Sequence, residues 1–233
     1  MRPVERGTVP EVDGRPKIYP KFTAANSDLE SRIGKYCCYC ERSFLSMLEV
    51  EHLSPKSRDR DGLTDWDNFL LSCKICNTVK SSKPTNEDDF LWPDRDNTFR
   101  AIVYSEGGFV VPNTQDLDAR NQVRARNLVD LVGLDRHQAR GWPDITDRDC
   151  RWEDREKIWT YADRMKGKFP APSDDDASVI AEGASVIGFF SVWMTVFRDI
   201  PVVRQHLIRA FRGTATACFD THGNPQLRTG GRL

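Results

Sequence analysis

The chain has 233 residues, a formal net charge of -1, 39% hydrophobic and 30% charged residues and a mean hydropathy of -0.57, a profile with enough apolar material for a core. The longest apolar-looking run, residues 186–197, contains Gly188 and Ser191 and falls short of the about 20 residues a spanning helix needs. The opening Met-Arg-Pro-Val-Glu-Arg-Gly lacks a secretory apolar stretch, so a cytoplasmic chain is expected, and the near-zero charge means that nucleic acid could be held only by local basic patches.

Taken in chain order, residues 1–36 read as an arm ending in a helix. Pro3, Pro10, Pro16 and Pro20 interrupt regular structure, and Ser27 with Glu30 forms a capping-box pattern for a helix over residues 28–36. Residues 45–52 read as a strand, residues 59–62 as a turn, residues 68–72 as a short apolar run and residues 74–80 as a polar helix. Residues 99–111 read as a β-hairpin turning at Gly107 and Gly108, where positive φ is needed. From residue 116 the pattern is helical, with Val123, Leu128, Leu131 and Val132 as an apolar stripe stopped by Gly133. Further helices are predicted over residues 154–165, 184–198 and 201–211, the last with Pro201 at its start. Residues 169–176 read as a linker, and the tail after Gly223 as loosely ordered. The expected division is an arm and helix (1–36), a core (37–84), a hairpin connector (85–115) and a helical C-terminal region (116–233).

The seven cysteines carry the strongest signal. Cys37-x-x-Cys40 and Cys73-x-x-Cys76 are two chelating turns, which together suit one tetrahedral, closed, structural zinc ion. Cys38 is less well spaced for chelation than Cys37. Such a site supplies folding free energy to a core-poor segment and leaves no open position for catalysis.

Between and after the cysteine pairs lie Glu51-His52-Leu-Ser-Pro55, Asp67-Asn68 and Asn77-Thr-Val-Lys80. Phosphodiester hydrolysis needs a base for water and a cation for the phosphate. His52 suits the first task near pH 7, and the Glu51 carboxylate with the Asn77 amide oxygen suits a hard divalent ion. Strand neighbours point to opposite faces, so Glu51 and His52 share a site only if the strand ends or twists there.

This pattern resembles the HNH nucleases, whose fold is a ββα-metal finger. The resemblance implies an α+β fold: a zinc-stapled HNH finger with a β-hairpin and a mostly α-helical C-terminal extension. It implies His52 as general base, Glu51 and Asn77 as ligands of catalytic Mg2+ or Mn2+, and Asn68 as the residue fixing the loop that carries the histidine. It also places Lys80, one turn past Asn77, near the phosphate, with Lys56 as a further substrate contact. Glu41 reads as a surface residue or an outer neighbour of the zinc. Over the whole chain, the opening segment, Ile-Gly-Lys-Tyr-Cys-Cys-Tyr-Cys-Glu, Glu-Val-Glu-His-Leu-Ser-Pro-Lys and Trp-Asp-Asn-Phe-Leu-Leu-Ser-Cys look like the HNH subunit of Septu-type, retron-associated antiphage systems (PtuB-like). That implies a bacterial immune effector cutting DNA beside an ABC-type ATPase. The alternatives are the same chemistry on RNA such as tRNA, or a non-catalytic zinc-finger or adaptor module.

The rest of the sequence offers no second catalytic motif. His206 reads as structural, and Trp142, Trp152, Trp159, Phe189 and Phe190 as helical core. Trp193, Met194, Val196, Phe197, Val202, Val203, Leu207, Ile208 and Phe211 are apolar enough to leave some exposed for a partner, with Arg204, Arg209 and Arg212 as a polar rim. Docking of the ATPase is therefore expected through residues 116–233.

Overall fold

The computed structural model describes residues 1–44, 47–55, 61–141 and 149–233. Among these residues lie three two-stranded antiparallel sheets and eight α-helices. A tight β1–β2 hairpin (Glu11–Val12, Arg15–Pro16) precedes α1 (Asn26–Ile33). Strands β3 (Glu49–His52) and β4 (Phe69–Ser72) pair in register Glu49↔Ser72 to His52↔Phe69 and lead into α2 (Lys74–Lys80). This ββα unit holds the candidate site. After it come α3 (Thr98–Ala101), the β5–β6 hairpin (Ile102–Ser105, Phe109–Pro112) and α4 (Ala119–Val132). The C-terminal part contains α5 (Arg151–Lys168), α6 (Asp174–Ile187), α7 (Phe190–Val196) and α8 (Pro201–Ala210). One hydrophobic cluster runs from Met1 to Leu233 and draws on all eight helices. None of the described helices is long and apolar enough to cross a membrane.

The local rules hold where neighbours in sequence decide. Asp118 caps α4 by accepting from the Asn121 N–H, and Gly133 ends it in the left-handed conformation at φ 56°. Pro201 opens α8, and Gly107 (φ 79°) and Gly108 (φ 74°) turn the β5–β6 hairpin. Several expectations are corrected where distant contacts decide. A 3-10 turn over Phe22–Ala25 starts α1 early, so Ser27 lies inside the helix rather than capping it. Strand β3 starts only at Glu49: Met47 is left-handed (φ 82°) and exposed, and residues 45 and 46 lie outside the described ones. The predicted turn over 59–62 and the predicted core residue Trp142 fall partly or wholly outside them too. Val123 is exposed, so it is not part of the α4 stripe.

The helix predicted over residues 184–198 is two helices. A Cβ at Gly188 would sit 2.6 Å from both the Glu41 carbonyl oxygen and the Ser43 nitrogen. The chain passes this point with Gly188 and Phe189 at φ 93° and 61°, which breaks α6 from α7. Helix α6 itself starts inside the predicted linker, where Ser173 and Asp176 form a capping box.

Neither end of the chain is loose. Met1, Arg2, Val4 and Arg6 are buried, and Val4 bridges to Thr214. The tail is buttoned down by Asn97, whose amide donates to the carbonyls of Cys218 and Gln226, and Leu233 is buried. The apolar residues expected to offer a docking patch are core instead: Trp193, Met194, Phe197, Val203, Leu207 and Phe211 are each at most 1% exposed. Arg204 is buried too, donating to the carbonyls of Arg198 and Gly223 and to Asn224.

Candidate active site and metal centre

The cysteine turns meet as their spacing requires. The sulfur atoms of Cys37, Cys40, Cys73 and Cys76 lie within 4.8 Å of one another, and all four residues are buried. Four soft donors around one point fit a closed tetrahedral zinc site. Cys38 stays outside the cluster, and burial pushes its thiol up to about 12. Burial also works against ionising Cys76, but hydrogen bonding from Cys37, Cys40 and Cys73 and the Arg151 guanidinium outweigh it, so this thiol sits well below its usual value. Arg151 donates from Nη1 to Cys76 Sγ at 3.2 Å.

Next to this centre, Glu51, His52, Asn77 and Lys80 line one cleft of about 290 Å³ together with Val50, Pro55, Ser81 and Ser82. Strand β3 presents Glu49 and Glu51 to α2, two residues apart on one face. Helix α2 answers with Asn77 and Lys80, one turn apart. Two rungs result. Asn77 Nδ2 donates to Glu49 Oε2, and Lys74 Nζ lies 3.3 Å from Glu49 Oε1. Lys80 Nζ lies 2.6 Å from Glu51 Oε1 and donates to the His52 carbonyl at 2.6 Å. Lys80 is 1% exposed and Glu51 3%. The position expected to touch phosphate is thus one half of a buried ion pair. Lys56, the other expected substrate contact, lies outside the described residues.

His52 ends the strand. Its ring is buried edge-on between Phe22 and Phe69, with both centroid separations at 5.1 Å. Nε2 lies 3.1 Å from the Leu63 carbonyl oxygen. A carbonyl can only accept, so this contact puts the proton on Nε2 and leaves Nδ1 as the basic nitrogen of the neutral ring.

Asn68 does not line this cleft; it lines a second one of about 200 Å³ with Ser54, Asp65, Asp67, Thr85 and Arg95. Its side chain clamps the chain beyond β3. Oδ1 accepts from the Ser54 N–H at 2.7 Å, and Nδ2 donates to the carbonyls of Ser54 (3.2 Å) and Gly62 (3.1 Å). The loop after His52 is therefore closed on both sides by one amide.

Glu49 and Arg151 escaped the sequence reading, and Glu41 entered it only as a surface residue or an outer neighbour of the zinc. Glu49 carried a signal, the period-2 spacing from Glu51. Glu41 is not at the surface: it is 2% exposed and accepts from the Arg2 N–H and from the N–H and hydroxyl of Ser191. Arg151 lies 75 residues beyond the cysteine it contacts, and no spacing rule reaches that far. The oxygen donors of Glu49, Glu51 and Asn77 on one face fit a hard divalent cation.

No curated protein is significantly similar to this chain. Residues 37–83, a fifth of the chain that holds both cysteine pairs, the β3–β4–α2 unit and every residue of the two rungs, match the family model of the HNH endonucleases.

Proposed function

We propose that the protein is a metal-dependent endonuclease that hydrolyses phosphodiester bonds of DNA. The observation that carries this is the cleft of about 290 Å³ in which His52, Glu51 and Asn77 meet inside the HNH domain. His52 acts as general base, taking the proton of the attacking water at Nδ1. Asn68 is a positioning residue that holds the loop leaving His52. Glu51 and Asn77, with Glu49 beside them, would hold Mg2+ or Mn2+. When bound, that ion supplies positive charge for the phosphate. Lys80 holds Glu51 and the His52 carbonyl in place rather than reaching substrate. Lys56 keeps its proposed role as a substrate contact. The four cysteines carry a structural zinc that staples the segment.

The finer reading is a bacterial, cytoplasmic immune effector of the Septu type, PtuB-like, acting beside an ABC-type ATPase. It is supported by the sequence resemblance of the opening segment and of the segments around the cysteine pairs. With the apolar residues of α7 and α8 buried, docking through residues 116–233 would use exposed positions such as Val179, Val186 and Arg209.

The test is incubation of the purified full chain with plasmid DNA and with tRNA, with Mg2+, Mn2+ or chelator, with and without an ABC-type ATPase of the kind proposed. Metal-dependent DNA cutting that vanishes in His52→Ala is the expected result. Cutting of tRNA alone would transfer the same chemistry to RNA. Binding without cutting under every condition would favour the zinc-finger module.

A further inference from the structure

The strongest buried cation outside the HNH domain points back into it. Arg151, at the start of α5, is 2% exposed, and all five of its N–H groups are used. Nε and Nη2 grip the two oxygens of Asp149, each at 2.7 Å. Nη2 also donates to the Gly133 carbonyl and Nη1 to the Val132 carbonyl, both at 2.9 Å, at the C-terminal end of α4, where helix carbonyls lack intrahelical donors. The remaining Nη1 hydrogen goes to Cys76 Sγ at 3.2 Å. Asp149 and the α4 terminus therefore fix the fork so that one N–H points at a cysteine of the metal centre.

The chemistry of that centre explains why such a donor matters. Four thiolates around one Zn2+ carry a double negative charge, and burying it is costly without donors or cations nearby. A guanidinium N–H to sulfur withdraws charge from the thiolate and orients it, as outer partners of metal ligands do. We propose that Arg151 is a positioning residue of the zinc centre, through which the helical region outside the HNH domain controls how tightly the metal is held. This rests on the zinc reading above. Its consequence is that metal retention depends on this one donor to sulfur and not on the packing of α5 at large.

A second buried arginine provides the control. Arg155, one turn along α5, is 1% exposed and donates to the carbonyls of Gly108 and Leu134, and among the described hydrogen bonds it reaches no sulfur. Zinc-loaded full-length wild type, Arg151→Met, Arg151→Lys and Arg155→Met are compared by zinc release to a chromogenic chelator below their unfolding temperatures. The same four proteins loaded with Co2+ are compared by their thiolate-to-metal charge-transfer band. Loss of the sulfur contact is expected to speed release roughly 10–100-fold in Arg151→Met. Arg151→Lys should fall between it and wild type, because a lysine cannot reproduce the fork. Arg155→Met should melt earlier yet release zinc at the wild-type rate. The Co2+ band should move in Arg151→Met and stay in Arg155→Met. Equal release rates and band positions in the two methionine variants would overturn the proposal alone. Wild-type protein that binds no zinc would overturn the zinc reading and this one with it.

Discussion

Replacing Lys80 by methionine asks whether a buried ion pair organises the candidate site. Methionine keeps most of the apolar stem, so packing changes little and charge is what is lost. Glu51, 3% exposed, is left without the ammonium that lies 2.6 Å away, and the His52 carbonyl loses a donor at 2.6 Å. Removing one partner of a buried pair typically costs about 3–5 kcal/mol. The loss has a ceiling, because an ordinary glutamate can be protonated at pH 7 for about 3.7 kcal/mol. A decrease of about 3–4 kcal/mol is therefore expected at pH 7, a large share of the about 5–15 kcal/mol that holds a domain together. Urea denaturation of the zinc-loaded chain at pH 7 measures it. The double variant Glu51→Gln with Lys80→Met should recover much of the loss, because the buried carboxylate charge is removed together with the ammonium. Lys80→Met within about 0.5 kcal/mol of wild type at pH 7, or a double variant no better than the single, would refute the ion-pair account.

Three further outcomes are expected. His52→Ala should lower the cleavage rate by about 10²–10⁴-fold while zinc content and DNA binding stay near wild type, read by a gel assay, metal analysis and a binding titration. Asn68→Ala removes three hydrogen bonds to Ser54 and Gly62 and should cost about 2–4 kcal/mol in urea denaturation. It should also slow cleavage at saturating DNA, whereas full turnover would show that the loop beyond His52 needs no clamp. Burial pushes the Cys218 thiol from the ordinary 9.0 up to about 11, so the unfolded chain loses this proton first. Stability from this group is full below pH 9 and lost as pH rises toward 11, and Cys218→Ala should show a shallower decline across that window.

What the sequence made legible was local. The doubled CxxC spacing anticipated the four-cysteine cluster, and Glu51, His52 and Asn77 do share a cleft while Asn68 clamps the chain beside it, because motif spacing within a ββα unit is also spatial proximity. The Gly133 stop of α4 and the Pro201 start of α8 read correctly for the same reason. Failures came where a distant contact overrides the local pattern. Gly188 sits inside an apolar helical run, and only the approach of Glu41 and Ser43 makes that run two helices. Lys80 was expected to reach the phosphate from the end of a polar helix, and its contacts with Glu51 and the His52 carbonyl turn it inward. The apolar wealth of α7 and α8 was read partly as interface, but α5, α6 and β5 cover most of it, with Phe219 of the tail packed on Phe190. Prolines and charges had made the two ends of the chain look loose.

The same long-range contacts bear on whether the HNH segment stands alone. A segment of this size rarely buries enough apolar surface to fold unaided, and zinc makes up part of the deficit. Here the flanks make up more. Arg6 donates to the Asp67 and Phe69 carbonyls, and Trp66 Nε1 donates to the Gly7 carbonyl. From the other side Arg151 reaches Cys76, and Ser191 gives two hydrogen bonds to Glu41, the residue that directly follows the first cysteine turn. A chain cut after residue 115 keeps the first set and loses the second. It leaves Glu41, 2% exposed in the full chain, without the Ser191 donors, and it strips Tyr36 and Phe99 of their ring contacts with Phe211 and Phe190. Each loss lies in the range that unfolds a marginal domain. The expected outcome is a truncated chain that loses zinc to chelator at once and shows no cooperative melting transition. A shortened chain that melts cooperatively with one zinc bound would show instead that the helical region rests on an already complete nuclease fold.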